Sequence, residues 1–201
     1  MSKGNHAANI AYDLRVMEAM VDELEPYLKS DALYWRLSPS VPINPPAPML
    51  TLGGYLLRAH RLTRQSESLD PDQQKRLEAI HEVYREKIDE WAAHAARRLE
   101  RELGARLNSW QWFVEDCEAR KKACITYYPT EAELRTLIEL LLENARDLTQ
   151  VNAFDKRLGG LDARFRPWFK EGDFVWRDEL LSVYPKSRFW WLYGRPQFPK
   201  R

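Results

Sequence analysis

The sequence predicts an all-α protein: a four- or five-helix, mainly antiparallel bundle followed by an aromatic-rich, mostly short-helical C-terminal segment. Three observations carry this prediction. Apolar side chains recur at steps of three and four along most of the first 155 residues, which is the period of one helix face. Two segments open with helix-start signatures. No alternating apolar and polar run bounded by turn residues signals a β-hairpin.

In the first element, Ile10, Leu14, Met17, Val21, Leu24 and Leu28 form a single stripe, widened by Val16, Met20 and Tyr27. Pro26 lies within that stripe and should kink or end the helix nearby, because its ring removes a backbone donor. Ala32 to Leu37 allow a further turn. Pro39, Pro42, Pro45, Pro46 and Pro48 then predict a stiff, extended crossover over 38–49. A second helix is expected from about Thr51 to Ser66, with Leu52, Leu56, Ala59 and Leu62 or Thr63 inward. Gly53 and Gly54 weaken its start. Arg58, Arg61 and Arg64 fall on its outer side and read as a solvated face.

Asp70-Pro71-Asp72-Gln73 is the clearest start: Asp70 can cap, Pro71 suits the first helical position and Gln73 can close a capping box. The stripe that follows runs through Leu77, Ile80, Tyr84, Ile88, Trp91, Ala95, Leu99 and Leu103. It continues through Leu107, Trp110, Val114 and Cys117. One unbroken helix over 71–125 would be about 80 Å long at 1.5 Å per residue. Its neighbours are too short to cover such a rod, so a break is expected between Gly104 and Ser109. Thr130 as cap and Glu133 closing the box predict the next helix, with Leu134, Leu137, Ile138, Leu141, Ala145 and Leu148 inward. Gly159-Gly160 should stop anything that reaches them. The expected division is a bundle over 1–158 and a basic aromatic segment over 159–201.

Composition bounds the function. Hydrophobic residues at 44% argue against disorder, and no apolar run approaches the length of a membrane span. A chain of 201 residues can build a full core without disulfide or metal staples. Met1 to His6 contain no apolar core of a secretory signal, so a cytoplasmic protein is expected. Net charge is +1, yet residues 156–201 carry 11 Lys/Arg against 5 Asp/Glu. The rest of the chain is therefore acidic, and the imbalance marks either a binding surface or two parts that complement each other. Cys117 and Cys124 on one helix would stand about 10.5 Å apart, beyond the reach of a disulfide. They read as small buried hydrophobes in a reducing compartment.

Chemistry-bearing patterns are sparse. Glu78-Ala79-Ile80-His81 has the Glu-x-x-His spacing that contributes two ligands to a di-metal bundle. Such a site needs a second copy on another helix, and Glu90 and His94 are four apart instead of three. His81 therefore reads as a core histidine bonded to a neighbour. No cofactor is expected, since no phosphate-loop, dinucleotide or nucleophile-elbow pattern is present. The densest signal is Lys186-Ser187-Arg188-Phe189-Trp190-Trp191-Leu192-Tyr193-Gly194-Arg195. Trp, Tyr and Arg are favoured interface anchors, and the same mixture can stack bases or cap the end of a bundle. The function expected from the sequence is a cytoplasmic interaction or scaffold module. It would bind a protein partner or a second copy through Lys186, Arg188, Trp190, Trp191, Tyr193 and Arg195. The alternatives are a metal-dependent bundle enzyme using Glu78 and His81, and nucleic-acid binding by the basic tail.

Overall fold

The computed structural model describes residues 10–39, 43–145 and 148–198. The N-terminal reading over Met1 to His6, Pro42 of the crossover, and Pro199, Lys200 and Arg201 lie outside them. The all-α expectation holds: eight α-helices and one two-stranded sheet are present among the described residues. The chain forms two compact units, Ala8–Glu102 and Leu103–Arg201.

The N-terminal unit contains α1 (Ile10–Asp22), α2 (Leu24–Lys29), α3 (Leu52–Arg64), α4 (Pro71–Glu90) and the start of α5 (Ala92–Glu118). Leu14, Val16, Met17, Met20 and Val21 bury the face of α1 that the spacing marks. The chain breaks at Glu23, and Pro26 then sits in the first turn of α2, where a missing donor costs little. Thr51 caps α3 by accepting from the Gly54 amide, and the buried Glu102 carboxylate accepts from the Gly53 amide at 3.1 Å. Two first-turn donors that would otherwise lack partners are thus satisfied. Asp70 and Gln73 form the full capping box of α4. Arg76 of α4 grips Glu18 of α1 with two bonds of 2.8 Å. Tyr55 and Tyr84 stack at 3.8 Å.

Arg58 and Arg61 are not the solvated face expected of them. Arg61 is buried, and the Arg58 guanidinium meets the buried Asp13 carboxylate at 3.2 Å. α3 packs on α1 over a face wide enough to take in its arginine flank, and Asp13 supplies the countercharge.

The break expected between Gly104 and Ser109 is absent. α5 runs through both residues, and the interruption falls at Trp91 instead, with φ −110° and ψ 34°. A glycine inside a helix weakens it by about 1 kcal/mol without breaking it.

The C-terminal unit holds the rest of α5, α6 (Lys122–Thr126), α7 (Tyr128–Glu143), α8 (Val151–Phe165) and strands β1 (Phe169–Phe174) and β2 (Tyr193–Pro196). α7 begins two residues before Thr130, with Pro129 in its first turn, so Thr130 is not its cap. α8 passes through Gly159 and Gly160, which do not stop it.

Cys117 and Cys124 form a disulfide, with Cα atoms 5.1 Å apart, which corrects the sequence reading of two free thiols. That reading placed both on one straight helix. Instead α5 ends one residue after Cys117. Arg120 takes the left-handed conformation (φ 54°), its amide donates to the Cys117 carbonyl and the Lys121 amide donates to that of Asp116. This paired arrangement turns the chain back sharply, and α6 delivers Cys124 beside Cys117.

The antiparallel pairing of β1 with β2 is a second correction. Phe169–Phe174 pairs with Tyr193–Pro196 with an irregularity between Glu171 and Phe174, so neither strand offers an alternating run to read. Gly194 sits opposite Glu171 with φ +152°, where a Cβ would collide with the Lys170 carbonyl and the Phe169 ring. Only glycine fits there. The short helices expected of the C-terminal segment include two single 3-10 turns, Asp178–Leu180 and Trp190–Leu192.

Candidate functional site

The six C-terminal residues expected to meet a partner belong to the C-terminal unit, and most already have partners there. Trp191 is 1% exposed. Its indole N–H donates to the Thr136 hydroxyl at 2.9 Å, and the buried Arg135 guanidinium lies over its ring at 3.8 Å. The Tyr128 hydroxyl donates to the Trp191 carbonyl. Arg135 in turn binds the Asp162 carboxylate at 2.8 Å and Glu139 at 3.1 Å, while Asp162 also accepts from the Trp110 indole. A buried cation with two carboxylates and an aromatic face is electrostatically closed.

Trp190 is half-buried and packs edge-on against Phe169, with Arg166 stacked over it at 3.3 Å. Arg188 bonds Glu139 and Glu143, and Lys186 bonds Glu171 at 2.7 Å. Tyr193 donates to the Tyr184 carbonyl at 2.7 Å, and burial holds its hydroxyl pKa above the ordinary value. Arg195 is half-buried in β2, opposite Lys170. With Arg164 on Glu118 at 2.7 Å, much of the basic excess of the tail is matched by carboxylates of the same unit.

Glu78 is exposed on α4, and His81 is half-buried one turn away. Both line a cavity of about 420 Å³ with Glu67, Gln74 and Leu77. The His81 Nε2 atom is buried without a hydrogen-bond partner, and burial lowers its pKa. The neighbour expected to bond it is therefore missing at this nitrogen. Among the described residues no three His, Cys, Asp or Glu side chains gather where they could hold a metal ion.

The open surface of the C-terminal unit lies elsewhere. A cleft of about 430 Å³ is lined by α5, α6 and α7 and the residues joining them. Trp112 and Tyr127 stand on its rim, 66% and 62% exposed, and Phe113, Leu134 and Leu137 line its wall. The indole of Trp112 is exposed because Trp110, Val114 and Cys117 carry the buried stripe of α5. Two residues beyond Trp110, position 112 points about 200° away from it at 100° per residue. Asp116, Glu131 and Glu133 contribute carboxylates to the cleft, against the single guanidinium of Arg106. Asp116 also binds Lys121 at 2.6 Å. Burial first, and the neighbouring Asp116 second, push the Glu131 carboxyl up to about 7. Three sequence cues point here: a tryptophan off the buried stripe, Tyr127 ahead of a helix start, and acidic residues in the first turns of α7.

No protein-family model, no curated protein and no solved structure matches this chain.

Proposed function

We propose that this chain is a helical interaction module, and that the cleft of α5, α6 and α7 receives a basic side chain of a partner polypeptide. One observation carries the reading. Two exposed aromatic rings border a cavity whose carboxylates outnumber its cations. A lysine or arginine head group gains from ring faces and from carboxylates together, most strongly where water is partly excluded. Glu131 supports this choice of occupant, because burial beside Asp116 disfavours its charge and an incoming cation offsets that cost. The C-terminal residues Lys186, Arg188 and Trp191 serve this reading as support for the unit, since their polar and charged groups are engaged within it.

The compartment bears on the same reading. No helix among the described residues is long and apolar enough to cross a membrane. A cytoplasmic placement is a proposal that requires Cys117 and Cys124 to be reduced in the cell, whereas the disulfide favours an oxidising compartment.

Selection of random dodecapeptides on the full chain tests the proposal. Enriched peptides should share a lysine or arginine, and replacing that residue with glutamine should weaken binding at least tenfold. Trp112→Ala and Glu131→Gln should each weaken it as well, and affinity should rise between pH 6 and 8 as Glu131 ionises. Enrichment of acidic or purely apolar peptides, or binding indifferent to both variants, would contradict it.

A further inference from the structure

We propose that the N-terminal unit carries a separate site for the phosphate group of a small phosphate ester, in the pocket lined by Lys29, His94, Arg97, Arg98 and Arg101. These residues reach one place for a simple reason. Positions 94, 97, 98 and 101 recur at three to four along α5, so they share one helix face. The opposite wall is the end of α2 and the turn after it, Leu28 to Asp31.

Four formal positive charges meet one carboxylate, Asp31, around a cavity of about 200 Å³. Arg98 anchors the site. It is 3% exposed, its guanidinium donates to the carbonyls of Tyr27, Ser30 and Ala32, and it stacks on the Tyr27 ring at 4.6 Å. Its Nε–H is buried with no acceptor among the described residues. Lys29 is held between the Glu25 carboxylate and the Trp91 ring, 3.7 Å from the ring centre. Arg101 reaches only 3.4 Å from the exposed Asp31, and Arg97 is exposed. The pocket therefore combines a fixed buried cation, Arg98, with two exposed outer guanidinium groups, Arg97 and Arg101.

A dianion suits this arrangement better than a monoanion, because the charge excess exceeds one. Guanidinium forks match the spacing of phosphate oxygens. The volume is below the range of about 300–1,000 Å³ that holds drug-sized ligands, so the guest is a small ester and not a nucleotide. This site does not depend on the peptide cleft.

The test is nuclear magnetic resonance of the full chain, following the arginine Nε–Hε signals, titrated with inorganic phosphate and with methyl phosphate. Sodium chloride at equal ionic strength is the control, and vesicles containing phosphatidic acid form a separate arm. Saturable shifts with both phosphates, weakened at least tenfold in Arg97→Gln and further in Arg97→Gln/Arg101→Gln, are expected. Both variants alter exposed residues, and circular dichroism should read the same helix content as in the parent. An equal response to chloride overturns the proposal, as does phosphate affinity unchanged in the double variant. Binding to the vesicles without binding to the soluble phosphates overturns it too, because the surface would then recognise a lipid headgroup.

Discussion

Trp191 and Trp112 belong to one unit and have opposite fates. Trp191 comes from the most aromatic stretch of the chain, and it is sealed by Thr136, Arg135 and Tyr128. Trp112 comes from an ordinary amphipathic helix, and two thirds of it is exposed. Density of rings in a sequence is thus a poor guide to their exposure. Rings that cluster can cover one another, and here Tyr184, Phe189, Trp190 and Trp191 form a chain of edge-on contacts. A ring set against the period of its own helix has no such cover.

The contrast can be broken first by stability. Trp191→Ala should cost about 3–5 kcal/mol in urea unfolding, the usual loss for a buried tryptophan, and should leave the Arg135 charge without its ring. A loss below about 1 kcal/mol would return that indole to the surface. Next comes the disulfide that ties α5 to α6. Reducing the Cys117–Cys124 bond should cost about 2.5 kcal/mol by the chain-entropy relation for so short a loop. The cleft should loosen with it, since Ala123 and Tyr127 flank Cys124.

A third prediction concerns pH. The folded pKa of Glu131 lies near 7, above its ordinary 4.5, so the folded state binds the proton more tightly than the unfolded chain. Its contribution to stability is therefore fully present below about pH 4.5 and is lost as pH rises towards 7. Glu131→Gln should match the parent at pH 4.5 and melt higher at pH 8, as scanning calorimetry reads it. The smallest effect on stability belongs to Trp112→Ala. A surface substitution of this kind should change unfolding by no more than about 0.5 kcal/mol. Its consequence should appear in peptide binding alone.

Much of the N-terminal unit was legible from residue spacing. The α1 stripe, the Thr51 cap and the Asp70–Gln73 box each rest on contacts between near neighbours in the chain, and local chemistry decides them. Its arginines were less legible: whether Arg58 faces water depends on Asp13, 45 residues away in the chain. In the C-terminal unit the missed features are those decided by distant partners or by an uncommon backbone conformation. Nothing near Arg120 announces a left-handed residue, because glycine is the usual occupant of that turn, so helical spacing alone puts the disulfide it permits out of reach. The sheet stayed hidden because β2 is four residues long and pairs across an irregular register. The cleft was half legible. The position of Trp112 off the stripe of α5 can be counted in the sequence, whereas the carboxylates of Glu131 and Glu133 join Asp116 only once the chain turns back at Arg120.

The most direct measurement is hydrogen exchange at the indole N–H groups, resolved for each tryptophan in the folded protein. Trp191 and Trp110, both buried and hydrogen-bonded, should exchange only through large-scale opening of their unit, while Trp112 should exchange at nearly the rate of free indole. Fast exchange at Trp191, or protection of Trp112 equal to it, would contradict the assignment of the C-terminal rings to the core and of the cleft to the surface.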